Sequence, residues 1–250
     1  MIHCSLNIMS LYKSKDRISF TVVLKSLIQI LAPKCCFACQ RVLSQGEKTL
    51  CTYCRHQLSL TQFNFCIENE CDKSFYGKTQ FVKASALFYM DQSSVIKQVI
   101  HQLKYRDQEH LGLFLADWAA SILKRDPCLI HFDYLTIVPL HWRKKHRRGY
   151  NQLELFSKRL SKLMGWNYAP KLLKRTHYQK SQTKKSRINR AFNSNPFVFH
   201  TNLNLTDRRI LIVDDIITTG STMAHCANAV LKASPCSIYF LSIGFRSRFV

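Results

Sequence analysis

The chain has 250 residues, 46% of them hydrophobic, which is enough apolar content to bury a core and excludes a disordered tail. Lys and Arg outnumber Asp and Glu by 37 to 15, so the surface favours polyanions such as nucleic acid or phosphorylated metabolites without choosing between them. The eleven cysteines are an odd number in a long chain, and four of them fall in two Cys-x-x-Cys pairs. That pattern argues against a secreted disulfide framework and for a reducing cytoplasm with bound metal.

Residues 1–34 read as an N-terminal extension. Its stretch FTVVLKSLIQIL (20–31) is too short to span a bilayer, carries Lys25 and runs into Pro33. We expect an amphipathic helix or leader segment packed on the body, with weak membrane contact as the lesser reading, and no transmembrane segment. Residues 35–80 are cysteine-rich and lack long periodic segments, so they predict a small metal-stapled module. Cys36 and Cys39 form one knuckle, Cys51 and Cys54 a second, with eleven residues between them. Four thiolates so spaced close a tetrahedral shell around Zn²⁺, and a shell without an open position is structural. A redox pair is the competing reading of either knuckle alone. Cys66 and Cys71 receive no assignment; Cys35, Cys128, Cys226 and Cys236 are read as free or core thiols.

From residue 81 to residue 250 the pattern becomes that of an α/β domain. FVKASALFY predicts a strand, SSVIKQVIHQLKY and HLGLFLADWAASILK helices, and YLTIVPL a strand. After a basic loop come the helix NQLELFSKRLSKLMG, a second basic stretch over 171–190, the short strand PFVF and the strand ILIV (210–213). The helix STMAHCANAVLKA and the strand CSIYFLSIGF follow. Strands alternating with helices predict a mostly parallel sheet flanked by helices. Neither G-x-G-x-x-G nor the Walker pattern occurs, so a phosphate site has to be built another way.

The string ILIVDDIITTGST (210–222) offers such a way. Four apolar residues predict a buried parallel strand with Asp214 and Asp215 at its carboxyl end, where open α/β sheets bind ligands. The next helix is predicted to begin at Ser221 or Thr222. Its first N–H groups, with the hydroxyls of Thr218, Thr219, Ser221 and Thr222 and the small Gly220, make a cradle for one phosphate. Carboxylates repel phosphate, so their place beside it suits a ligand with a phosphate at one end and neutral diol hydroxyls a few ångströms away, as in a ribose 5-phosphate. The competing reading is that Asp215 and Ser221 only cap turns.

This string resembles the phosphoribosyl pyrophosphate (PRPP) motif of type I phosphoribosyltransferases. The resemblance implies that Asp214 and Asp215 hold the ribose hydroxyls and favour positive charge developing on the sugar, making them the candidate catalytic residues. It also implies a PRPP site comprising Asp214, Asp215, Ile216, Thr218, Thr219, Gly220, Ser221 and Thr222. Purine salvage members carry a third acid where this chain has Thr218, which counts against hypoxanthine–guanine chemistry; the loop is nearer to the orotate type. With CFAC…CTYC, HQLKYRDQEHLG, VPLHWRKKHRRGYNQ and SQTKKSRINRAFN in the same order, the chain from about residue 33 onward is similar to ComF-family competence proteins.

Between Tyr134 and Thr206 lie sixteen Lys or Arg residues and one acid, Glu154. The transferase resemblance makes Arg143, Lys144, Arg147 and Arg148 candidate pyrophosphate clamps and puts Lys184 and Arg187 in a mobile loop that closes over the site. A phosphate-backbone track for nucleic acid and a solvated face are the other readings. Trp142, His146, Tyr150 and Tyr178 are interleaved with the charges and suit stacking on unpaired bases. His101, His110 and His131 receive no role.

Three functions are thus expected, in this order: a ComF-like cytoplasmic competence protein handling incoming single-stranded DNA, with a PRPP- and Mg²⁺-binding domain; a salvage or biosynthetic phosphoribosyltransferase acting on a base or amine; a non-catalytic nucleic-acid-binding protein on the same fold. The resemblance implies PRPP, single-stranded DNA and other competence machinery at the inner membrane face as partners.

Overall fold

The computed structural model describes residues 33–91, 94–104, 109–126, 130–140, 151–176 and 195–247. Its centre is a five-stranded parallel sheet in the order β1-β7-β6-β2-β3. The strands are β1 (Lys83–Tyr89), β2 (Tyr134–Ile137), β3 (Asn167–Tyr168), β6 (Arg209–Ile217) and β7 (Ser237–Phe245), and β4 (Leu173–Arg175) pairs antiparallel with β5 (Phe197–Phe199). The helices are α1 (Thr52–His56), α2 (Glu70–Lys73), α3 (Val95–Gln102), α4 (Glu109–Leu123), α5 (Glu154–Met164) and α6 (Ser221–Ala233).

Strand β6 is buried on both faces because its apolar residues run without a break, so each face needs its own cover. Leu211 and Val213 lie in a core with Ile96 and Ile100 of α3, Leu115 of α4 and Phe156 and Leu160 of α5. Ile210 and Ile212 lie in a second core with Met223, Ala227 and Val230 of α6, Phe75, and Leu173 and Phe197 of the β4–β5 hairpin. The expected mostly parallel sheet flanked by helices is therefore present. Cys36, Ala38, Leu50, Cys54 and Leu58 of the cysteine-rich segment belong to the first core, and Arg55 lies over the rings of Phe114 and Trp118 on α4.

The connections place a crevice. After β2 the chain returns through α5 to β3, on one side of the sheet order; after β6 it returns through α6 to β7, on the other. Adjacent strands whose crossovers diverge leave a gap at their carboxyl ends, where ligands of open α/β sheets bind. That gap lies between β2 and β6.

Candidate functional site

The sequence predicts a strand that ends at Val213, whereas β6 continues through both acids to Ile217. The reason is asymmetric pairing. Partner β2 stops at Ile137, opposite Val213, with one more bond from Val138 N–H to the Val213 carbonyl at 3.0 Å. Partner β7 runs on, matching Asp214 with Ser242 and Ile217 with Phe245. Asp214, Asp215 and Ile216 thus form a half-buried step between buried Val213 and Ile217, held on the β7 side only among the described residues.

The two carboxylates stay close enough to act directly on one another. Asp215 points to the α5 side, where Gln152 Nε2 donates to its Oδ2 at 2.9 Å. Gln152 is 5% exposed. It is held there by its neighbour Asn151, whose Nδ2 donates to the Val138 carbonyl at 3.2 Å and whose Oδ1 accepts from Leu153 N–H at 3.1 Å. Asp214 Oδ1 accepts from Asp215 N–H at 2.8 Å. Burial, and then the neighbouring Asp215 charge, push the Asp214 carboxyl well above the ordinary carboxylate range. Burial and then the Asp214 charge likewise raise the Cys226 thiol of α6.

Helix α6 begins at Ser221, within the predicted start. Its N-cap is Gly220 in the left-handed region (φ +69°), without a side-chain cap. A Cβ at Gly220 would lie 2.8 Å from the Ser74 carbonyl oxygen and 3.0 Å from Phe75 Cε1, so the position requires glycine twice over. Thr218, Thr219 and Thr222 are exposed and Ser221 half-buried; Thr219 Oγ1 donates to Ser221 Oγ at 3.0 Å and accepts from Ser221 N–H at 3.3 Å. The acids, hydroxyls and uncapped helix start therefore meet at the carboxyl edge of β6. Arg143, Lys144, Arg147, Arg148, Lys184 and Arg187 lie outside the described residues, as do Trp142, His146, Tyr150, Tyr178 and Cys128.

Two contributors carry no local signal of this role in the sequence. Gln152 lies in the RGYNQ string but is 63 positions from Asp215. Lys78, between the cysteines and β1, donates from Nζ to the Ser74 carbonyl at 2.7 Å and to the Thr219 carbonyl of the loop.

The four knuckle cysteines come together. Their Sγ atoms all lie within 4.8 Å of one another and can hold a metal ion. Four sulfurs bound at about 2.3 Å in a tetrahedron are about 3.8 Å apart, and Cys39 Sγ stands 3.7 Å from Cys51 Sγ. Cys51 N–H donates to Cys36 Sγ at 3.3 Å and Cys54 N–H to Cys51 Sγ at 3.5 Å. Burial opposes ionisation of Cys36, but N–H groups of Cys51, Cys39 and Ala38 outweigh it and bring the thiol to about 7. Glu47 clamps the second knuckle by accepting from Ser44 N–H and from both the N–H and the hydroxyl of Thr52. Cys66 is disulfide-bonded, while Cys35, Cys71, Cys226 and Cys236 are free thiols. Among the described residues no helix is long and apolar enough to cross a membrane.

Comparison with known proteins agrees with this arrangement. Residues 154–244, which hold α5, β6, the loop, α6 and most of β7, match the phosphoribosyl transferase domain family. The chain is 27% identical over 207 residues to the DNA utilization protein YhgH of Escherichia coli K12, covering 79% of this chain and 84% of that one. It is 26% identical over 213 residues to competence protein F of Haemophilus influenzae (79% and 90% covered) and 25% identical over 201 residues to competence protein ComFC of Bacillus subtilis (80% and 78%). The chain is thus similar, over most of its length, to competence and DNA utilization proteins, with a match to the phosphoribosyl transferase domain family at 154–244 and a four-cysteine cluster ahead of it.

Proposed function

We propose that this protein binds Mg²⁺–PRPP at the β2–β6 crevice and serves natural transformation by handling incoming single-stranded DNA in the cytoplasm. The observation that carries the ligand reading is the half-buried Asp214–Asp215 step running directly into the uncapped start of α6 at Gly220. In this reading the 5-phosphate lies on the loop from Thr218 to Thr222, bound by N–H groups and hydroxyls. The helix dipole adds only about 0.3–1 kcal/mol. Asp215, anchored by Gln152, and Asp214 receive the ribose hydroxyls, and their charge favours a cationic anomeric carbon as pyrophosphate departs. The hard carboxylate oxygens beside the crevice suit magnesium, which when bound neutralises pyrophosphate oxygens. Residues 35–80 act as a zinc module on Cys36, Cys39, Cys51 and Cys54, and residues 81–250 as the ligand domain.

The names of the relatives and the net charge of +22 support the DNA role. Calorimetric titration with Mg²⁺–PRPP tests the ligand: the wild-type chain is expected to give binding heat and the Asp214→Asn/Asp215→Asn chain none. Equal heats would overturn the site. Disruption of the gene is expected to abolish transformation, and wild-type frequencies would refute the competence role.

A further inference from the structure

The segment between the second knuckle and β1 forms the back wall of the loop that follows the acid pair. Phe75 stacks on Phe240 of β7 with ring centroids 4.0 Å apart, which fixes the turn at residues 74–78 against the sheet. Asn228 Nδ2 of α6 donates to the Lys78 carbonyl at 3.0 Å, and the missing Cβ of Gly220 lets the loop approach the Ser74 carbonyl. Lys78 Nζ bridges the two segments by donating to both the Ser74 and Thr219 carbonyls.

We propose that Lys78 is a positioning residue for the phosphate cradle. Thr219 C=O and Gly220 N–H belong to one peptide unit, and no peptide bond in the described structure is cis. In a trans unit these two groups point in opposite directions. Holding the carbonyl against the ammonium from behind therefore turns the Gly220 N–H toward the exposed side of the loop, where Thr218 and Thr219 stand. A peptide unit preceding a left-handed glycine rotates easily, so without this anchor the N–H is not fixed before ligand arrives. Fixing it in advance lowers the ordering cost of binding a phosphate monoester. This inference rests on the PRPP reading and names a residue for its 5-phosphate end.

The test is calorimetry on the full chain and its Lys78→Met and Lys78→Arg variants, titrated with ribose 5-phosphate, Mg²⁺–PRPP and magnesium pyrophosphate. Lys78→Met is expected to weaken ribose 5-phosphate and PRPP by about tenfold or more, the size of one hydrogen bond from a charged group. Pyrophosphate binding, metal content and melting temperature should change little, and Lys78→Arg should recover most of the affinity. Lys78→Gln serves the same purpose with a polar side chain if the methionine variant is poorly soluble. If wild type binds ribose 5-phosphate and the uncharged variants match it within about twofold, the positioning role is overturned while the PRPP reading stands. An equal loss for pyrophosphate, or no rescue by arginine, would also overturn it. If wild type binds no phosphosugar, both readings fall together.

Discussion

Asp214 and Asp215 are neighbours whose environments differ, and the difference has measurable consequences. Folding raises the Asp214 pKa, so between the ordinary carboxylate value and the raised one the folded chain binds more protons than the unfolded chain. Stability attributable to this group then falls as pH rises through that window, and ionised Asp214 weakens the fold at neutral pH. Asp214→Asn should therefore stabilise the protein at pH 7, by about 0.5–2 kcal/mol on the scale usual for relieving a functional site, while losing PRPP binding. Urea denaturation of both forms at pH 5 and pH 8 checks this: the gain should be larger at pH 8. Asp215 has its anchor in Gln152. Gln152→Leu should lower affinity for PRPP with little effect on stability, because it frees the Asp215 carboxylate, whereas Gln152→Glu should be worse through like-charge repulsion. Gly220→Ala places a methyl 2.8 Å from the Ser74 oxygen in a left-handed conformation and should cost about 1–3 kcal/mol in thermal unfolding. The acids and hydroxyls are legible in the sequence because they are contiguous. Gln152 and Lys78 are not, since they reach the site across 63 and 141 positions, a separation no local pattern encodes.

At the scale of elements, long periodic segments are legible in the sequence and short ones are not. The apolar spacing in HLGLFLADWAASILK gives α4, and the unbroken run in CSIYFLSIGF gives β7. Strands β3 and β4 have two and three residues, too few for an alternation to register, and depend on pairing with β2 and β5. The end of β6 is hidden because two acids resemble a strand terminus in sequence, yet pairing with β7 continues beneath them. The knuckles are legible from spacing, but their share in the first core is not, since Leu50 and Leu58 have no periodic partners. That sharing makes the module a structural support. With the four cysteines holding zinc as proposed, chelation at neutral pH, or Cys36→Ser, should release that ion and lower the melting temperature of the whole chain by several degrees, measured by calorimetry with a metal-release dye. A second, separate unfolding transition confined to the knuckles would contradict the shared core.

Across the whole molecule, a net charge of +22 governs how the protein meets polyanions. Binding to single-stranded oligonucleotides should weaken steeply with salt, and replacing Arg147 and Arg148 by alanine should reduce the slope by about 0.7 for each phosphate that is no longer neutralised. The same charge says nothing about the fold, which is set by the two apolar cores. The outer edge of the sheet limits how the chain can be divided. Residues 59–61 run antiparallel along β1, with Thr61 N–H on the Leu87 carbonyl, Tyr89 N–H on the Ser59 carbonyl and a Leu60–Phe88 bridge. A polypeptide starting at residue 81 would leave KASALFY, buried through most of its length in the intact protein, with its hydrogen-bonding margin bare. Such margins recruit other strands, so this shortened chain should form aggregates that light scattering detects, and the segment ahead of it acts as a guard against self-assembly.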